Sequence, residues 1–192
     1  MRPKRKNMPT QLRINAVADE CGMTKWKING KVKHQANELH ELTNRIRKNT
    51  SRAIEKFMKI NANSIETIVV ATDDTSKGRG FTSLHILMRN LGTLTKEIEI
   101  KESVTEENYI SWHLKCLETY LFALQRVNPN LITKIIKIKN HDGRTPLYIL
   151  FQQPLLTDTH VKLCAKLCPS GKSILFHCAP KLLLIIYYFL TN

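Results

Sequence analysis

Apolar residues in the first third of the chain recur at helical spacing. Leu39, Leu42, Ile46, Ala53, Phe57 and Ile60 stand three, four or seven residues apart, while Arg45, Lys48, Arg52 and Lys56 occupy other faces. This pattern predicts one long helix over 35–60. Asn49 interrupts the stripe where a coiled coil sets a polar register residue, but the imperfect heptads favour a helix packed on the unit that follows. The next segment, Asn61-Ala62-Asn63-Ser64, leads into a β-prone run from Ile65 to Ala71. Thr72 to Arg79 is polar and turn-forming, which marks a domain boundary near residue 75. Further on, Tyr109 to Val127 reads as one amphipathic helix that continues through Asn128-Pro129 into Leu131 to Asn140. The apolar run Leu182 to Leu190 is nine residues long, against the roughly 20 needed to span a bilayer as a helix. It is expected to pack on its preceding unit or on a partner chain, giving a route to self-association.

A short motif punctuates this pattern three times. It has the order Gly, any residue, Ser or Thr, any residue, Leu, then an aromatic or His. It appears as Gly80-Phe81-Thr82-Ser83-Leu84-His85, as Gly143-Arg144-Thr145-Pro146-Leu147-Tyr148, and more loosely as Gly171-Lys172-Ser173-Ile174-Leu175-Phe176. The residue types suit a turn that opens into a helix: Gly143 permits positive φ, Thr145 caps, Pro146 fits the first helical position and Leu147 begins the buried face. Leu147 and Thr145 are therefore read as structural.

The middle copy, preceded by Asn140-His141-Asp142, resembles the turn and helix start of an ankyrin repeat. Leu150 falls where that family has a small Ala, Pro154 where it turns, and Val161, Leu163 and Leu167 where its second helix packs. His85 lies where an imidazole of the family bonds neighbouring turn backbone. The first two copies stand 63 residues apart, close to two periods of roughly 33, and one repeat with an insertion around Lys96 to Asn108 is preferred over an unseen degenerate repeat. The resemblance implies repeats at 80–139, 140–168 and a partial one at 169–192. The segment Asn128 to Ile132, leading through Ile138-Lys139-Asn140, is also similar to inter-repeat segments of inhibitory ankyrin proteins that mask Rel-type transcription factors.

Charge separates the two ends of the chain. Residues 1–60 carry 15 Lys and Arg against 5 Asp and Glu, whereas 61–192 carry 15 against 11. Lys4, Arg5 and Lys6 form a basic cluster that serves as an import signal, a phosphate-binding arm or a solvated terminus. Ile14 to Ile28 resembles a helix-turn-helix, with Ala18 at the close approach, Gly22 at the turn and Thr24 capping a second helix. Lys25, Lys27, Lys31 and Lys33 would then meet phosphates, and Asn29 a base edge. A plain helical hairpin is the competing expectation, with Trp26 as a packing residue because no second aromatic is interleaved with it.

Reactive constellations are scarce. Cys164 and Cys168, with His160, fall on one helical face, and His177 and Cys178 follow, yet these spacings fit core residues better than a zinc site with ligands on tight turns. Gly171-Lys172-Ser173 has Lys166 where a phosphate-binding loop needs Gly, which argues against nucleotide hydrolysis. Five cysteines, odd in number and unevenly spread, argue against a disulfide framework and for a reducing compartment. The basic N-terminus has no apolar stretch behind it, so it lacks the pattern of a secretory signal.

The sequence thus predicts a mainly α protein: an ankyrin-like helical repeat stack over 76–192 with a basic helical region over 1–75. The function expected is non-enzymatic binding of another protein, a transcription factor among the partner classes, without cofactor or metal and in the nucleus or cytoplasm. The binding residues expected are Lys77, Arg79, Asn140, His141, Asp142 and Arg144, at the turn tips. The alternative is a DNA-binding regulator acting through the helix-turn-helix.

Overall fold

The computed structural model describes residues 17–18, 24–28, 31–34, 37–74, 79–92 and 104–167, and it is mainly helical. Helix α1, Glu38–Asn44, starts at Asn37, whose side chain accepts from the His40 amide. It stops at Arg45, which takes an extended conformation. Thr43 Oγ1 bonds back to the carbonyls of Leu39 and His40, the kind of local side-chain bond that competes with continued helix. Helix α2, Thr50–Ile60, restarts after a connection closed by Thr50, whose hydroxyl accepts from Arg47 N at 3.0 Å and donates to Arg45 O at 2.9 Å. The single helix expected over 35–60 is therefore two helices. Asn49 stands at the break, and Ile60, expected on the apolar stripe, is 70% exposed.

Helix α3, Ile65–Val70, replaces the β-prone run. Its buried residues Ile65, Ile68 and Val69 are spaced for one helical face, and packing of that face overrides the β preference of Ile and Val. Helix α4, Ser83–Asn90, follows a cap at Thr82. Helix α5, Glu106–Val127, starts a little before the expected Tyr109, with Thr105 as cap and Glu106 and Glu107 beside the positive end of the helix dipole. Asn128 ends α5 and its side chain caps α6, Pro129–Ile135, whose Pro129 sits at the first turn. Helix α7, Pro146–Phe151, opens at Thr145, and α8 runs over Asp158–Leu167.

These helices pack in two rows. The short helices α1, α4 and α7 lie side by side, and the longer α2, α5 and α8 lie behind them, with α5 also touching α4 and α6. One hydrophobic core runs from Leu39 to Cys164. Polar bonds cross it at defined places: Ser83 Oγ meets Tyr120 OH at 2.8 Å, joining α4 to α5, and Asn90 Nδ2 donates to Thr43 O at 2.6 Å, joining α4 to α1.

The boundary expected near residue 75 falls inside this core. Asp73 and Phe81 form a β-bridge across it, and residues 39–69 pack with the helices that follow. The expected helix-turn-helix is likewise not formed. Val17–Ala18 (β1), Thr24–Ile28 (β2) and Lys31–His34 (β3) are antiparallel strands in the order β1-β2-β3. Apolar and basic residues alternate with period two through Lys25-Trp26-Lys27-Ile28, and the Asn29-Gly30 pair between β2 and β3 is the sequence that two-residue hairpins favour. The third motif copy at 171–176 and the apolar run at 182–190 lie outside the described residues.

Because the core is continuous, Leu39→Ala and Leu150→Ala, both fully buried, should each destabilise the same urea transition by about 2–5 kcal/mol. Two resolved transitions, one moved by each variant, would show instead that the ends unfold independently.

Candidate interaction surface

One corner is built repeatedly where a helix of the front row begins. At Thr82 the hydroxyl accepts from His85 N at 3.3 Å and lies 2.8 Å from His85 Nδ1, so its hydrogen points to the ring. Nδ1 is then an acceptor, and Nε2–H donates to Arg144 O at 3.1 Å. Arg144 immediately precedes the next cap, Thr145, which accepts from Tyr148 N at 3.3 Å. A related arrangement stands earlier in the chain at Asn37 and His40, where Asn37 Oδ1 accepts from His40 N, Asn37 N donates to His40 Nδ1 and Nε2 reaches Phe81 O at 2.9 Å. Phe81 in turn precedes Thr82. Each imidazole therefore closes its own helix start and grips the backbone of the next one. Asn37 adds a bond that Thr could not make, from Nδ2 to Ile68 O at 3.1 Å, tying α1 to α3.

A further chain of histidines ties the rear row to the front one. His113 Nε2–H donates to Leu87 O at 2.8 Å, which leaves Nδ1 to accept from His160 Nε2–H at 3.1 Å. His160 Nδ1 then accepts from Thr157 Oγ1 at 2.8 Å. Burial disfavours the imidazolium throughout: it lowers His85 and His113 to about 4 and His160 to about 3, the last also through the neighbouring His113. His160 is thus engaged with Thr157 and His113. Burial also pushes the Cys116 thiol up to about 12, so it stays protonated and unreactive. Among the described residues no cluster of His, Cys, Asp and Glu is placed to hold a metal ion.

The turn tips lie against one another. Gly80 N donates to Asp73 O at 2.8 Å and Asp73 N to Phe81 O at 2.9 Å, closing the first tip, and Asn140 N donates to Arg144 O at 2.9 Å in the second. His141 N donates to Arg79 O at 3.0 Å and joins the two. Arg79 and Gly80 both have positive φ, at 49° and 70°. A side chain at Gly80 would also run into the His141 ring, so glycine there is required twice over.

The expected binding residues divide on this frame. Arg79, His141 and Asp142 come together on exposed tips: Arg79 Nη1 is 4.0 Å from Asp142 Oδ2 and His141 Nε2 is 3.6 Å from Asp74 Oδ1. Arg144 is exposed beside them, its guanidinium 5.8 Å from the Tyr148 ring centroid. Asn140 is a correction. It is only 6% exposed, and its Oδ1 accepts from Asp142 N and Arg144 N at 3.0 and 2.8 Å, so it shapes the turn instead of presenting itself. Lys77, Asn29, Lys4, Arg5 and Lys6 lie outside the described residues. The strand register pairs Lys25 with His34, Lys27 with Val32, Trp26 with Lys33 and Ile28 with Lys31. Lys25, Lys27, Lys31 and Lys33 thus stand on two paired strands and not on one recognition helix.

Sequence reading missed Arg89. Its guanidinium lies 5.2 Å from the Phe81 ring centroid and donates to Asn44 Oδ1 at 3.4 Å, bridging α4 and α1 on the front row. It also missed the corners at Asn37 and Thr157. The signal was there, because both have a His three residues on, but no Gly precedes either cap by two. No protein-family model, curated protein or solved structure matches this chain.

The depressed histidines set a pH dependence. In the unfolded chain an imidazole protonates near pH 6.5, whereas the folded protein holds these three neutral down to about 4 or 3. The contribution to stability is thus full above pH 6.5 and is lost as pH falls from there toward 4, by up to about 1.4 kcal/mol per pH unit for each histidine. Urea titrations between pH 7.5 and 4.5 should show this slope, and His113→Leu with His160→Leu should flatten it. An unchanged slope in that double variant would remove the pair as its source.

Proposed function

We propose that this chain is a non-enzymatic protein-binding module, an ankyrin-like stack of helix pairs that meets its partner with the turn tips and the exposed side of α1, α4 and α7. The observation that carries the reading is the recurring corner, in which an imidazole caps its own helix and bonds the backbone that enters the next. Such a device sets neighbouring helix pairs at a constant offset, and stacked units of this kind present a continuous surface along one side. The placement of the titratable groups favours binding over catalysis. The buried histidines serve backbone carbonyls and one another, and the thiol of Cys116 is held protonated, so none of these groups is poised as a nucleophile or base.

In this reading the first unit begins at Asn37, with α1 and α2 as its pair. The second takes α4 and α5, and the third α7 and α8. Helices α3 and α6 occupy equivalent places, each after a long helix and before a tip, and they touch each other. Among the described residues no helix is long and apolar enough to cross a membrane. The partner proposed is another protein, and a transcription factor in the nucleus or cytoplasm fits the suggested likeness to the Rel-masking members of the family.

Photo-crosslinking with the full chain tests this reading. A crosslinker placed at His141 or Asp142 should trap one discrete protein from an extract of the cells that express the chain, and unlabelled protein should compete for it. The same group at Lys115 or Glu118, on the far side of α5, should trap nothing that is competed. Competed crosslinks confined to α5 would place the contact on the rear row and overturn the proposal.

A further inference from the structure

We infer that the partner segment is acidic, an extended peptide bearing spaced carboxylates that dock on Arg79, Arg89 and Arg144. This rests on the protein-binding reading and specifies its chemistry. Arg79 and Arg144 stand on the two linked tips, and Arg89 lies in the last turn of α4. Arg89 is laid over Phe81 and Arg144 over Tyr148. Phe81 itself stacks on His85, with ring centroids 5.5 Å apart, and His85 is bonded to the backbone of Arg144. The two arginines are therefore held by connected parts of the frame. A guanidinium near a ring keeps N–H groups for further hydrogen bonding, and its fork matches a carboxylate.

The charges on this face are also poorly compensated from within. Among the described residues neither Arg89 nor Arg144 has an ion pair, and Arg79 has only the 4.0 Å contact with a partly exposed Asp142, which in that setting is weak. Arg79 and Arg89 repel each other enough to lower the Arg89 pKa, after the larger effect of burial. An incoming carboxylate relieves that repulsion. Carboxylates stand at the same tips, Asp142 Oδ2 4.0 Å from Arg79 Nη1 and Asp74 Oδ1 3.6 Å from His141 Nε2, so a polyanion with a charge at every step would meet them as well. A peptide whose acidic residues are separated by neutral ones places its charges at the arginines alone, which favours a protein segment over nucleic acid.

The test is fluorescence anisotropy of the full chain with a labelled twelve-residue peptide of alternating Glu and Ala, run beside a labelled DNA duplex at low and near-physiological salt. The variants are Arg79→Asn with Arg144→Gln, both at exposed sites, and Lys56→Gln with Lys115→Gln as an equal charge change on the rear row. A third variant, Arg89→Lys, keeps the charge but removes the fork. The arginine pair should weaken peptide binding about tenfold and Arg89→Lys about threefold, with the lysine pair within about twofold of the parent. Equal losses in both pairs would reduce the effect to net charge and overturn the inference. Tighter binding of DNA than of peptide, lost with the same arginines, would overturn it in favour of nucleic acid. Competed crosslinking at His141 or Asp142 together with no peptide binding would sink the acidic partner while leaving the binding module intact. Absence of both would remove the two together.

Discussion

The imidazole that spans two corners is the interaction on which the rest of the molecule depends. A helix start leaves unpaired N–H groups, and the carbonyls of Phe81 and Arg144, each already accepting one main-chain N–H, keep a second lone pair. His40 and His85 serve both with one ring and lie buried. A neutral imidazole suits the Thr82 corner because one nitrogen accepts from the hydroxyl while the other donates to Arg144 O. With that tautomer the ring joins the start of α4 to the tip that leads into α7. This is also why acid is expected to loosen the frame as a whole and not one surface of it.

Behind the front row, α5 acts as a long brace. It buries Tyr109, His113, Cys116, Leu117, Tyr120, Leu121 and Leu124 along one face, and its partners are α2, α4, α6 and α8. A helix of this length lies across several shorter ones, so it couples them in a way that nearest-neighbour contacts between short helices would not. The buried bonds from Ser83 to Tyr120 and from His113 to Leu87 and His160 use α5. They fix its rotation, which apolar packing alone leaves less well specified.

Much of the helical part was legible in the sequence, and for definite reasons. Thr82 and Thr145 announced themselves through Gly two residues before and Leu two residues after, and α5 through a long amphipathic period. The break between α1 and α2 was not legible because Thr43 and Thr50, which make it, are ordinary helix residues until their hydroxyls find backbone partners. Ile65 to Val70 was misjudged because its composition favours strands, and only the core it meets decides otherwise. The basic stretch from Lys25 to Lys33 carried two signals at once, a loose helix-turn-helix pattern and a strict two-residue alternation around Asn29-Gly30, and the alternation is what the backbone follows. Asn140 and Arg89 exchange roles for a similar reason. An Asn in a turn looks available from sequence, yet its oxygen is consumed by Asp142 N and Arg144 N, while an Arg within a helix looks like solvent filler until a ring two turns away receives it.

The tips are held by main-chain bonds. Asp73, Phe81 and Gly80 close one, Asn140 and Arg144 the other, and the amide of His141 with the carbonyl of Arg79 links them. Apart from the glycine and the buried Asn140, the side chains on these loops contribute little to their shape. Substitutions at 141, 142 and 144 can therefore accumulate at small cost to folding, and a lineage carrying this chain could exchange one set of contacts for another in few steps. The shape of the loops would persist while what they display diverged.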